Sequence, residues 1–343
     1  MKHAIKSVVL GLSLLLANGS NAYAQDYKGG FEAVKKGDYA TALKEWGPLA
    51  EQGNADAQYN LGLMYDKGVG VPQDFTEALR LYRLSAGQGL AIAQFVLGVM
   101  YIDGQGVTQD YTEAANWFRL AAEQGYAEAQ FNLGVIYGTG QGVTQDYEEA
   151  VKWYRLAAEQ GGANAQYNLG ASYDNGLGVT QDYKEAVKWY RLAAEQGKAS
   201  AQSNLGSMYD KGQGVTQDYK EAVHWFRMAT EQGNANGQGN LGSMYYFGKG
   251  VTQDYEEAVR LYRLSAAQGD ASAQFGLGAV YRNGHGVIQN NVYAHMWFNI
   301  AASSGHTDAL KNRDLVAKRM SAADISNAQG LARQCVRKNY KGC

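Results

Sequence analysis

The chain has 343 residues, with 43 Gly, 2 Pro, 2 Cys, a formal charge of −2 and an apolar fraction of 45%. Gly well above the usual ~7% with Pro far below ~5% excludes collagen and Pro-rich linkers, and 25 Tyr with 6 Trp exclude a disordered chain. Charged residues at 19% exclude a supercharged tail or a coiled coil.

At the start of the chain Lys2 and Lys6 precede an apolar run from Val8 to Ala17 and a small-x-small site, Ala22-Tyr23-Ala24. This pattern predicts a signal peptide over 1–24, removed near Gln25, and hence export to the periplasm or the extracellular space. The run is too short to span a bilayer, and no Cys stands near the cleavage site to take a lipid anchor. An integral membrane protein is therefore not expected. Without Lys2 and Lys6 the charge is −4, with +5 carried from His306 onward and −9 over 25–305. An acidic main body argues against nucleic acid as a partner.

Residues 25–53 hold Asp38, Tyr39, Ala42, Trp46 and Gly53, spaced like Asp74, Phe75, Ala78, Tyr82 and Gly89. A half-repeat cap is predicted there. Seven units of 36 residues then run from 54 to 305, marked by Ala57-Gln58, Leu61-Gly62 and Tyr65 and by their equivalents in register. Each unit reads as a helix–turn–helix. Ala57, Leu61 and Tyr65 share one helical face, and Gly68 and Gly70 end that helix. Asp74 with Glu77 forms a capping-box pattern that opens the second helix, repeated at 110/113, 146/149, 182/185, 218/221 and 254/257. The column Tyr82, Phe118, Tyr154, Tyr190, Phe226, Tyr262 and Phe298 reads as core. Gly62 and its equivalents interrupt the first helix at a cost of roughly 1 kcal/mol each relative to Ala, which predicts an approach too close for a side chain. Helix pairs at constant spacing bury their apolar faces only against the next pair. The predicted fold is all-α: an α/α solenoid of seven repeats with N- and C-terminal capping helices, a superhelix with a concave and a convex side.

Over 306–343, Ser321 and Asp324 announce a closing helix with Ile325, Ala328, Leu331, Ala332 and Cys335 on its apolar face. In an oxidising compartment Cys335 and Cys343 are expected to form one disulfide.

The pattern Ala-Gln-x-x-Leu-Gly-x-x-Tyr, Gly-x-Gly-Val, Asp-x-x-x-Ala-x-x-Trp-Tyr-x-x-Ala-Ala, complete over 129–158, resembles the Sel-one-like repeat (SLR) family, relatives of the tetratricopeptide repeat. The resemblance covers about 38–305. It implies a scaffold for protein–protein or protein–peptide interaction. The last unit departs from the pattern, with Asn290-Asn291 in place of Asp-Tyr and His295 in a Val slot. Cysteine-rich secreted members are described as β-lactamases. This chain lacks their repeated cysteine pairs, so that activity is not carried over.

A catalytic constellation would have to break the repeat, and none is found. The mature histidines, His224, His285, His295 and His306, have no zinc-ligand spacing. The paired glycines lack the Gly-Lys-Ser/Thr of a phosphate loop, and no Gly-x-Ser-x-Gly elbow occurs. No enzyme activity, metal or cofactor is expected. First helices line the concave side in tetratricopeptide-like stacks, which makes Tyr59, Asn60, Phe95, Phe131, Asn132, Tyr167, Asn168, Asn204 and Asn240 the candidate binding face, with an Asn ladder suited to a peptide backbone. The expected function is an exported, monomeric scaffold for a protein or peptide. The alternatives are a cell-wall or β-lactam hydrolase and a secreted effector that engages a host protein.

Overall fold

The computed structural model describes residues 23–343, with side chains from Lys28. The signal peptide predicted over 1–24 lies outside the described residues, apart from Tyr23 and Ala24, which open the first helix. The described residues form eighteen helices and no strand. They are α1 (Tyr23–Lys35), α2 (Tyr39–Glu51), α3 (Ala55–Lys67), α4 (Phe75–Gly87), α5 (Ala91–Asp103), α6 (Tyr111–Glu123), α7 (Ala127–Thr139), α8 (Tyr147–Glu159) and α9 (Ala163–Asn175). Then follow α10 (Tyr183–Glu195), α11 (Ala199–Lys211), α12 (Tyr219–Glu231), α13 (Ala235–Phe247), α14 (Tyr255–Ala266), α15 (Ala271–Asn283), α16 (Asn291–Ser303), α17 (Ala309–Ala317) and α18 (Ala322–Arg337). The chain is an α/α solenoid of tandem helix pairs. It divides into two compact units, the first reaching Ala165 and including Leu177–Val179, the second made of Gln166–Gly176 and Thr180–Cys343.

In the first unit each helix from α1 to α7 packs on the next. The core is the inward stripe of both helices, including Trp46, Tyr82, Leu97, Phe118 and Leu133, all under 3% exposed. The close approach predicted at Gly62 is to a ring: a Cβ there would lie 2.9 Å from Tyr82. Seven such glycines each seat the aromatic side chain of their own second helix.

The N-terminal cap differs from the half-repeat read in the sequence, because α1 supplies a first helix. The loop between α1 and α2 has three residues, 36–38, where the repeats use seven, 68–74. Four missing residues move the ring-seating glycine by one helical turn, to Gly30, where a Cβ would overlap the Trp46 indole. A search for 36-residue spacing passes over it.

The caps of the second helices also differ from expectation. Asp74 accepts from the backbone N–H groups of Thr76 and Glu77 at 2.9 and 3.1 Å. Glu77 does not reciprocate, since the Asp74 N–H already bonds the Tyr65 carbonyl at 2.9 Å. The Glu77 carboxylate instead accepts from Arg80 at 2.6 and 2.8 Å. A full capping box occurs where no such carbonyl is at hand, between Ser321 and Asp324.

The Gln of each Ala-Gln pair is buried and joins neighbouring helices. Gln94 Nε2 donates to the Ala86 carbonyl at 3.2 Å, while its Oε1 accepts from Gln124 at 2.7 Å. The same rung recurs in the second unit, where Gln202 donates to Ala194 at 3.1 Å and accepts from Gln232 at 2.8 Å. It satisfies a polar group that would otherwise be costly to bury.

In the second unit α10 to α16 pack in sequence, α11 also touches α13, and α17 and α18 both lie on α16. Ala328, Ala332 and Cys335 of α18 are buried there, and Cys335 is bonded to Cys343 with Cα atoms 5.7 Å apart. No helix among the described residues is long and apolar enough to cross a membrane.

Candidate binding face

The candidate residues lie on the first helices of the first six repeats, in two adjacent columns. The aromatic column turns inward. In the first unit Tyr59 and Phe95 are 7% and 3% exposed, with rings 5.7 Å from Tyr82 and Phe118 respectively. Phe131 is half-buried, 6.1 Å from Tyr154. In the second unit Tyr167 is half-buried, 5.8 Å from Tyr190, with the Lys198 ammonium 5.9 Å above its ring. These rings form the backing of the face rather than its display.

The Asn column is buried at its first position and half-buried from Asn132 on. Asn60 is 6% exposed and lines a cavity of about 170 Å³ with Trp46, Leu63, Met64 and Lys67 in the first unit. Asn132 is half-buried in the same unit, and Asn168, Asn204 and Asn240 are half-buried in the second. Asn240 Nδ2 reaches Ser207 Oγ at 3.4 Å, and Asn204 bonds the hydroxyls of Tyr167 and Tyr190.

A difference between repeats that no single residue announces appears at Asn204 and Asn240. Ser203 and Gly239 stand where five of the seven repeats carry a ring. With those rings absent, a second cavity of about 170 Å³ opens between α11, α13 and α15. Asn204, Ser207, Asn240, Ser243, Tyr262 and Asp270 line it. The Tyr262 hydroxyl lies 3.1 Å from Ser243 Oγ, and burial pushes its pKa up to about 12. Asp270 caps α15 by accepting from the Ala273 N–H at 2.6 Å. The side chains offer amides, hydroxyls and one carboxylate, with neither His nor Lys in the lining. Such a set makes hydrogen bonds to a backbone or polar side chain and holds no nucleophile paired with a base.

The histidines are placed apart from this cavity. His224 is exposed beside Trp225, His285 stacks on Tyr255 at 4.5 Å, and His306 stacks on Phe275 at 4.2 Å. His295 is 2% exposed, and burial, helped by Arg313, lowers its pKa. Among the described residues no three His, Cys, Asp or Glu side chains gather as metal ligands.

Comparison with known proteins agrees with this geometry. The model of the Sel1 repeat matches seven times, over 55–90, 91–126, 127–162, 163–198, 199–234, 235–270 and 271–306. Among solved structures, the chain is similar to a protective antigen present in uropathogenic Escherichia coli strains that displays an SLR fold. Identity is 36%, 93% of this chain and 70% of the other are covered, and the TM-score is 0.83. It is also similar to a Sel1 repeat protein from Oxalobacter formigenes, at 34% identity over 70% of this chain and 96% of the other, with a TM-score of 0.62. No curated protein matches.

Proposed function

The chain belongs to the Sel1 repeat family, whose fold is typical of protein–protein interaction scaffolds, and on that premise we propose that it is an exported scaffold that binds a peptide segment of another protein along its first-helix face. The observation that carries this reading is the polar cavity around Asn204 and Asn240. The repeat departs there from its own pattern in a way that removes rings and lines the space with amides and hydroxyls. Amide side chains both donate to and accept from a peptide backbone, and half-buried ones lose little freedom on binding. Export is supported by the leader pattern over 1–24, by the disulfide at the C-terminus and by likeness to a protein described as a protective antigen.

The test is capture of partners by the purified mature protein and by a variant with Asn132, Asn168, Asn204 and Asn240 all changed to Ala. The variant is expected to keep its helical circular dichroism and lose the partner that the parent retains. Equal capture by both proteins would refute the first-helix face as the binding surface. Fractionation that left the full chain in the cytoplasm would remove the exported part of the reading.

A further inference from the structure

A cavity of about 530 Å³ lies where α17 takes the place of an eighth first helix, with Arg282, His285, Asn291 and Arg319 in its lining. Two departures from the repeat create it. Asn291 stands where the six preceding units have Phe75, Tyr111, Tyr147, Tyr183, Tyr219 and Tyr255, which removes a ring. Arg282 stands where they have Asp66, Ile102, Gly138, Asp174, Asp210 and Tyr246, which places a cation in a column that holds none.

The Arg282 guanidinium is half-buried and is held only by neutral acceptors. Its Nη1 donates to Asn312 Oδ1 at 2.6 Å and its Nε to Asn283 Oδ1 at 3.2 Å, and the group lies 5.9 Å from the Phe298 centroid. Neither Arg282 nor Arg319 forms an ion pair with a carboxylate among the described residues, and no acid lines the cavity. A partly desolvated cation without a counter-charge is unusual, because such groups gain most from a charged acceptor. The neighbouring side chains are fixed as well. Asn283 Nδ2 donates to the Tyr246 hydroxyl at 3.2 Å, and that hydroxyl lies 2.9 Å from His285 Nδ1. This contact holds the His285 ring at the cavity wall. The segment from His306 onward adds eight Lys or Arg against three Asp.

We propose that this cavity binds a small oxyanionic ligand, a carboxylate or a phosphate group, between Arg282 and Arg319 and beside His285. Its volume is that of a small-molecule site, within the usual ~300–1,000 Å³. Arg282 is held in place by Asn312 and Asn283, and arginine pairs planar or tetrahedral oxygens bidentately.

The test is thermal unfolding and titration calorimetry of the mature protein with inorganic phosphate, succinate or neutral succinamide, at matched ionic strength set with chloride. At least one anion is expected to bind and raise the melting temperature, while succinamide does nothing. Phosphate alone, succinate alone or both identify the source of the oxyanion, and each of these results supports the proposal. Arg282→Gln and Arg319→Gln should each weaken the responding anion about tenfold or more. Lys318→Gln, outside the lining, should leave binding unchanged. Because Arg319 is exposed, its variant folds even if that of Arg282 does not. The proposal is overturned if neither anion binds, if chloride reproduces the effect, or if Arg319→Gln binds as the parent does.

Discussion

At the scale of the residue, Tyr262 shows how a repeated core position acquires a pH response. Its ring is seated on Gly242 and its hydroxyl faces Ser243 at 3.1 Å, so ionisation would bury a charge. Burial raises its pKa from 10.0 to about 12. The unfolded chain ionises first, so the stabilisation is fully present below pH ~10 and is lost as pH rises towards 12. The loss amounts to roughly 2–3 kcal/mol by linkage. Tyr262→Phe should therefore flatten the fall of urea stability between pH 9.5 and 12. A slope identical to that of the parent would contradict the assignment. Positions of this kind were readable in the sequence as core because the aromatic column recurs with its glycine. The cavity beside Tyr262 was not, since it needs Ser203, Gly239 and Asp270 from three successive repeats to lie side by side.

At the scale of the element, the helix pair is defined by hydrogen bonds as much as by its apolar stripe. The Asp N-caps were legible one by one, but the role of Glu77 was not. Whether that carboxylate turns back or forward depends on the Tyr65 carbonyl that occupies the Asp74 N–H. Helix α1 was hidden for a different reason, a loop four residues shorter than the others, which breaks periodicity without breaking the packing. The glutamine rungs carry a prediction. In the last repeat Ser304 stands where the others have Gln, and the buried Gln274 Oε1 is left without a partner. Ser304→Gln should complete the rung and stabilise the protein by about 1 kcal/mol. An increase in the urea midpoint with unchanged m-value would show it, and no change would mean that the oxygen is satisfied in solution.

At the scale of the molecule, the two ends are not equivalent. The C-terminal cap is basic, is stapled by Cys335–Cys343 and is pressed on α16, whereas the body before it is acidic. A disulfide with a sequence separation of 8 restrains the unfolded chain by roughly 2–3 kcal/mol. In repeat proteins stability is a sum over neighbours, so its removal acts locally. Reduction should speed amide exchange in α18 and α16 and leave α2–α7 at their original rates. Uniform acceleration along the chain would show instead that the protein unfolds as one cooperative body. The cap's composition was plain in the sequence, while the cavity that α17 closes over Arg282 was not, because it depends on which helix fills the place of an absent repeat.

The glutamine rung has a consequence for how such a chain changes length. Each complete rung uses the same two side chains, thirty residues apart. Recombination between the similar coding segments that removes or duplicates a whole period leaves every joint with its proper partner. Whole repeats can thus be gained or lost without breaking a rung, and the caps travel unchanged at the two ends.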